Sequence, residues 1–228
     1  MPAASVDSDA EFWLFGYGSL IWKPPPHYDK RIPGFVTGYV RRFWQDHRGT
    51  PEAPGRVVTL IERSFWETLT DHHDSTADKV WGTAYRIEAP RVAEVREYLD
   101  IREINGYTIH YTPFYPSDGS PTIKALVYIG TPENDQFVGP QPPQQLAEHI
   151  QKSIGPSGPN KDYLLSLEEA LDGLSPDSGD DHVKDLATRV RNLEKEASGA
   201  EDRAVNGIAV ANEPKKVGSR DEQEEMEK

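Results

Sequence analysis

The chain has 228 residues, which is enough for one domain with a sizeable core, and it carries a net charge of −13 at pH 7. That charge disfavours binding to nucleic acids and to anionic membrane surfaces, because both need clustered Lys and Arg. The absence of cysteine excludes disulfides, thiolate metal sites and a cysteine nucleophile. No apolar run approaches the roughly 20 residues that cross a bilayer, and residues 1–10 lack the apolar region of a signal peptide. We therefore expect a cytoplasmic protein that binds neither nucleic acid nor membrane.

The first ordered stretch is also the most informative one. Residues 12–21 read F-W-L-F-G-Y-G-S-L-I, which predicts a short apolar strand followed by a glycine turn. Glycine lets the backbone turn and lets another molecule approach it, because it has no Cβ. Such a turn presents backbone N–H groups, which suit a carboxylate or a developing oxyanion. An ordinary tight turn is the alternative, since short glycine motifs are common.

The rest of the chain predicts strands first, with helices inserted and appended. Strand-like patterns occupy residues 31–44, 57–61, 80–87, 107–115 and 123–129. Helical spacing of apolar residues occupies residues 91–100, 145–153, 162–171 and 183–193. Residues 64–79 are polar and predict an exposed insertion with one helical turn near Phe65 and Trp66. This order is typical of an α+β domain whose antiparallel or mixed sheet curls toward a barrel, and it excludes a doubly wound sheet.

The amino-acid composition changes along the chain, and this change predicts the domain boundaries. Every Trp, Tyr and Phe lies at or before Tyr163, and Glu, Asp, Lys and Gly dominate the C-terminal end. We expect a disordered N-terminus at residues 1–10, one domain at 11–196 and an acidic disordered tail at 197–228.

A carboxylate between the helix at 91–100 and the next strand is a candidate general base. Glu103 follows the helix and precedes the strand that begins after Gly106, so two rigid elements can aim its side chain into a cleft. Partial burial raises the pKa of a carboxylate toward neutrality and makes it a useful base. A solvated Glu paired with Arg102 is the alternative, since surface carboxylates greatly outnumber catalytic ones.

Other candidates have weaker patterns. His72 and His73 are adjacent and point apart, so we expect a solvated loop rather than a metal site. Arg41 and Arg42 suit an anionic substrate, stacking on an aromatic ring, or a partly exposed strand face with structural ion pairs. The hydroxyl of Tyr163 is within reach of a cleft, while core packing of its ring is the simpler expectation.

Several motifs occur together in one order along the chain. They read F-G-Y-G-S-L-I-W-K-P at 15–24, G-Y-V-R-R-F-W-Q at 38–45, H-R-G-T-P-E at 47–52, P-G-R-V-V-T-L at 54–60, V-W-G-T-A-Y-R at 80–86, Y-L-D-I-R-E at 98–103 and G-P-N-K-D-Y-L at 158–164. With this combination the sequence resembles the ChaC family of γ-glutamylcyclotransferases, which act on glutathione, over roughly residues 12–193.

The resemblance implies a fold and a site. The fold is a small β-barrel or mixed sheet with flanking helices, an α+β domain with a cavity at one side. The Y-G-S-L turn and its neighbours are implied to bind the γ-glutamyl group: Gly16, Tyr17, Gly18, Ser19, Leu20 and Ile21. Glu103 is implied to be the catalytic base, and neither a metal nor an organic cofactor is implied. The family commonly has Lys where this chain has Ile104, so a positive charge beside Glu103 is missing.

The implied reaction is cleavage of glutathione to 5-oxoproline and Cys-Gly. The α-amine of the substrate attacks its own γ-carbonyl, so the nucleophile is tethered and proximity supplies much of the acceleration. We keep two alternatives: a cyclotransferase for other γ-glutamyl peptides or γ-glutamylamines, and a non-catalytic binding protein on the same fold. We expect a monomer or weak dimer.

Overall fold

The structure is a computed structural model that describes residues 11–50, 53–73, 78–102, 107–156 and 158–211. The predicted disorder at residues 1–10 lies outside the described residues, and so does the part of the predicted tail at 212–228. The strands are β1 Phe12–Gly16, β2 Tyr28–Val36, β3 Tyr39–Thr50, β4 Ala53–Glu62, β5 Val80–Ile87, β6 Tyr107–Pro116, β7 Ile123–Gly130, β8 Ile154–Gly155 and β9 Gly158–Pro159. The α-helices are α1 Arg63–Trp66, α2 Val92–Arg102, α3 Pro143–Lys152, α4 Asn160–Asp172 and α5 Asp181–Ala211.

Five strands close into a barrel in the order β1-β5-β2-β6-β7, which confirms the predicted α+β class with a curled sheet. The neighbours pair antiparallel except at the closure, where β1 meets β7 in parallel through Leu14 and Leu126. Leu14 and Leu126 belong to a buried cluster that also contains Val95 and Leu99 of α2. The helix between β5 and β6 therefore packs on the barrel by the apolar residues that its sequence spacing predicted.

Strands β3 and β4 form a separate two-stranded ribbon. The composition of residues 50–55, T-P-E-A-P-G, predicts a turn or loop, but β3 continues to Thr50 and β4 begins at Ala53. The pairing register shifts twice, between Arg42 and Gln45 and between Asp46 and Gly49. Each shift is a β-bulge, in which two residues of β3 lie opposite one of β4, and a bulge changes the direction in which a side chain points.

The polar segment after β4 packs against the ribbon. Helix α1 confirms the predicted helical turn around Phe65. Three apolar side chains of this segment pack on a buried cluster of the ribbon: Phe65, Trp66 and Leu69 lie against Val40, Trp44 and Ile61. The prediction of an exposed insertion is therefore wrong for its first part, around Phe65, Trp66 and Leu69. These apolar side chains lie in a polar stretch of sequence but pack against an apolar surface of the ribbon.

Helix α5 has two parts with different sequence character. Within the compact unit Met1–Arg191 its buried residues recur at helical spacing: Val183, Leu186, Ala187 and Val190. The helix continues to Ala211 within a second unit, Asn192–Lys228, where disorder was predicted from residue 197. Ala and Glu are the commonest residues between 192 and 211, and both favour helix without any apolar period. None of the helices in the described part of the chain has the length and apolar character that a membrane span requires.

Candidate active site

A cavity of about 590 Å³, part of it open to solvent, lies beside the end of β1. Its lining residues come from β1 and the turn after it, from the ribbon, from two barrel strands and from α4: Phe15, Gly16, Tyr17, Gly18, Ser19, Leu20, His47, Val57, Val58, Tyr107, Tyr128 and Tyr163.

The predicted glycine turn forms one wall of the cavity. Strand β1 ends at Gly16, and the chain turns back through a short 3-10 helix, Ser19–Ile21. The turn is fixed by two hydrogen bonds: the Ile21 N–H donates to the Gly18 carbonyl at 2.9 Å, and the Tyr85 hydroxyl donates to the Leu20 carbonyl at 2.7 Å. A Cβ added to Gly16 would lie 2.5 Å from the Cβ of Leu20, so the turn needs glycine there.

Gly18 is the point where other side chains come closest to the turn. A Cβ added at Gly18 would lie 2.9 Å from the Tyr163 hydroxyl and 3.1 Å from a methyl group of Val58. The Tyr163 ring packs edge-on against Trp22 and Phe43, with ring centroids 5.4 and 5.9 Å away. Tyr163 therefore combines the two roles considered for it, since its ring is packed and its hydroxyl reaches the cavity.

A second tyrosine ties the turn to the barrel. The Tyr17 hydroxyl donates a buried hydrogen bond of 2.8 Å to the carbonyl of Tyr128 in β7. Tyr17 and Tyr128 both line the cavity, so this bond holds two of its walls together.

Five of the six residues that were predicted to bind the γ-glutamyl group line the cavity. Gly16, Tyr17, Gly18, Ser19 and Leu20 line the cavity; Ile21 is buried, and the lining of the described cavity does not include it. Its side chain instead anchors the turn in the core.

The predicted base, Glu103, lies outside the described residues. It follows the last residue of α2 directly, and the first residue of β6, Tyr107, lines the cavity.

Sequence reasoning did not identify the lining residues on the ribbon and on the barrel strands. They are His47, Val57, Val58, Tyr107 and Tyr128. His47 belongs to the motif H-R-G-T-P-E, but only the pairing register reveals that it lies in a bulge opposite Gly55. Pairing registers depend on tertiary contacts, which spacing along the chain does not show.

The two arginines of β3 are buried and paired, so their predicted partial exposure is wrong while their predicted ion pairs are confirmed. Arg41 donates to Asp180 at 3.2 Å and to the Trp81 carbonyl. Burial lowers the pKa of Arg41, and Asp180 opposes that effect. Arg42 donates to Asp71 at 2.5 Å. Neither guanidinium lines the described cavity.

His73 belongs to a partly buried cluster rather than to a solvated loop, so that prediction is wrong for it. Its Nε2 is 2.8 Å from a carboxylate oxygen of Asp185, and its Nδ1 is 3.1 Å from the Nδ1 of His182. The Phe43 N–H donates to the His182 Nε2 at 3.1 Å. Burial, and then the nearby Arg42, hold the pKa of His182 well below its ordinary value. Within the described ranges no three His, Asp or Glu side chains are arranged to hold a metal ion.

The family model of ChaC-like proteins matches residues 12–193. A glutathione-specific γ-glutamylcyclotransferase of Schizosaccharomyces pombe is 46% identical over 194 residues, which cover 82% of this chain and 96% of the relative. Glutathione-specific γ-glutamylcyclotransferase 1 of Homo sapiens is 39% identical over 191 residues, which cover 81% of both chains.

A solved structure has the same fold. The selenomethionine-labelled crystal structure of a yeast γ-glutamylcyclotransferase specific to glutathione superposes with a TM-score of 0.73 at 36% identity. The superposition covers 81% of this chain and 97% of that one. Because the family model spans the barrel, the ribbon and the cavity, the chain belongs to the family of ChaC-like proteins.

Proposed function

We propose that the protein is a glutathione-specific γ-glutamylcyclotransferase that releases 5-oxoproline and Cys-Gly. The observation that carries the proposal is the glycine turn, which forms a wall of a cavity open to solvent. The similarity to two relatives with that name, over 96% and 81% of their lengths, supports the substrate.

The turn is suited to hold the γ-glutamyl group. Gly16 and Gly18 bring the backbone to the cavity surface, and the Tyr17 and Tyr85 hydrogen bonds keep the turn rigid. A rigid backbone with N–H groups at a turn stabilises a carboxylate or an oxyanion without reorganising during the reaction. We propose that residues Gly16 to Leu20 bind the glutamyl part and that Ile21 supports them from the core.

The chemical step needs a base, and we assign that role to Glu103. The α-ammonium of the substrate must lose a proton before its nitrogen can attack the γ-carbonyl. After attack, the C–N bond to cysteine breaks and the leaving amine takes up a proton. Glu103 can accept the first proton and return it to the leaving amine, so that protons balance over the cycle. Glutathione is abundant in the cytosol, and we expect the enzyme to act there as a monomer or weak dimer without a metal or organic cofactor.

The direct test is release of 5-oxoproline from glutathione, measured beside γ-glutamyl-alanine and a γ-glutamylamine at matched concentrations. We expect kcat/KM for glutathione to exceed that for the other two substrates. A clear preference for γ-glutamyl-alanine or for the amine would show that the substrate of the enzyme belongs to that class and is not glutathione.

A non-catalytic binding protein would behave differently in the same experiment. It would bind glutathione in calorimetry and release no 5-oxoproline from any of the three compounds. A protein that neither binds nor cleaves glutathione would overturn the proposal as a whole.

A further inference from the structure

A second wall of the cavity, distinct from the glycine turn, is formed by other residues. That wall is part of the ribbon β3–β4 and contributes His47, Val57 and Val58. Of the described residues that line the cavity, His47 is the one whose side chain can carry a positive charge. Glutathione has two carboxylates, one on its glutamyl part and one on its C-terminal glycine, so the substrate needs two anion-binding positions.

The backbone of β3 directs His47 into the cavity. The pairing register shifts between Asp46 and Gly49, so that His47 and its neighbour oppose a single residue, Gly55. Bulges of this kind are frequent beside active sites, where they re-aim a side chain. The adjacent Asp46 does not line the described cavity, and its carboxylate is paired with Arg56, so its charge is largely compensated.

The distances along the ribbon suit the substrate. Val58 lies against Gly18, since its methyl group would be 3.1 Å from a Cβ there. Gly55 precedes Val58 by three residues of β4, which at about 3.4 Å per residue places it about 10 Å along the strand. An extended Cys-Gly unit spans roughly 7 Å. A substrate whose glutamyl group lies at the glycine turn can therefore extend its glycine carboxylate toward the imidazole of His47.

We infer that His47 binds the C-terminal glycine carboxylate of glutathione and thereby selects glutathione over γ-glutamyl compounds without that carboxylate. The inference rests on the proposed function for the identity of the substrate. An imidazole donates an N–H in both protonation states, and the donor is stronger when the ring is charged. The role is one of binding, so it appears in KM and in affinity rather than in kcat.

The test compares glutathione with its glycine monoethyl ester, which keeps the γ-glutamyl group and replaces the charged glycine carboxylate by a neutral ethyl ester. In the wild type, we expect the ester to show a KM about 10- to 100-fold higher than glutathione, the loss typical of a hydrogen bond to a charged group. His47→Gln should raise KM for glutathione by a similar factor, leave kcat nearly unchanged, and change KM for the ester little. His47→Arg keeps a cation and should retain most of the preference for the free acid.

His72→Gln is the matched control, because His72 is exposed and does not line the described cavity. It should leave both substrates unaffected. Equal KM values for glutathione and the ester in the wild type would overturn the inference without any variant, and so would an equal loss on both substrates in His47→Gln. If the wild type released no 5-oxoproline, the proposed function would fail; calorimetry of glutathione and its ester with the same proteins would then decide the His47 contact separately.

Discussion

The proposed reaction depends on the transfer of one proton from the substrate ammonium to Glu103. The carboxylate of Glu103 can be replaced by an amide of nearly the same shape. Glu103→Gln keeps the size of the side chain but cannot accept a proton from the substrate ammonium. Because a positioned general base contributes roughly 10²- to 10⁴-fold, we expect kcat to fall by that order. Binding should change much less, since the backbone of the turn at residues 16–20 lines the cavity independently of this residue.

The control for that prediction is another carboxylate of the same type. Glu62 is exposed at the end of β4 and does not line the described cavity, so Glu62→Gln should keep normal turnover. Turnover and affinity are measured on the same folded samples. Near-normal turnover in Glu103→Gln would falsify the role of this residue, and an equal loss in both variants would indicate a general effect of charge.

The segment after β4 is held by a buried ion pair. The side chains of Arg42 and Asp71 are 4% and 6% exposed, and Asp71 also accepts a hydrogen bond from Trp66 at 2.8 Å. Burial opposes ionisation of Asp71, but Arg42 and that hydrogen bond prevail and lower its pKa. Removal of one partner leaves a buried charge uncompensated, which typically costs about 3–5 kcal/mol.

Asp71→Asn should therefore lower the free energy of unfolding by that amount, measured in urea. Asp78→Asn breaks a pair with Arg63 whose acidic side chain is 62% exposed, and it should cost less than about 1 kcal/mol. Losses of similar size in both variants would show that the segment is not anchored through Arg42.

The junction of β3 with α5 gives the fold a dependence on pH. His182 accepts the Phe43 N–H through Nε2 and stays neutral, because its pKa is held well below the ordinary value by burial. The unfolded chain binds a proton at this residue near pH 6.5, while the folded chain does not. Stability must then fall as the pH is lowered below about 6.5, by up to about 1.4 kcal/mol for each pH unit.

The variant His182→Gln isolates this effect, since a glutamine amide oxygen can accept the same N–H without titrating. Between pH 6.5 and pH 5 we expect the unfolding temperature of the wild type to fall more steeply than that of His182→Gln. Carboxylates with lowered pKa values, such as Asp71 and Asp185, act mainly below this window. His72→Gln should retain the slope of the wild type; equal slopes in all three proteins would contradict the prediction.

Local patterns predicted the elements well, and long-range pairing explains what they missed. The predicted strand at residues 80–87 matches β5 at both ends, and the glycine turn lines the cavity as expected. By contrast, the contact of His73 with His182 joins residues 109 positions apart, and the direction of His47 depends on a bulge between two strands. Both features arise from the register of strands and helices in space, which residue spacing does not encode.

The whole chain is longer than the matched family region, so its end can be tested by removal. Among the side chains of α5 that the structure describes, those up to residue 199, the buried ones all precede Arg191, and the family match ends at residue 193. We expect a chain that ends after residue 196 to keep nearly the same unfolding temperature and turnover. A chain that ends after residue 180 loses Val183, Leu186 and Val190 from the core and should not fold. A large loss of stability or turnover in the chain that ends after residue 196 would assign the tail a structural or regulatory role.

The walls of the cavity come from parts of the chain that are far apart in sequence. The cavity can therefore be completed only late in synthesis. Leu14 pairs with Leu126 to close the barrel, and the Tyr17 hydroxyl bonds a carbonyl 111 residues further on. Contacts with such separation close large loops and form late. A chain growing on the ribosome therefore carries the glycine turn long before Tyr163 emerges to complete the wall. Since a ligand stabilises only the state that binds it, substrate can favour the finished domain but cannot guide its early folding.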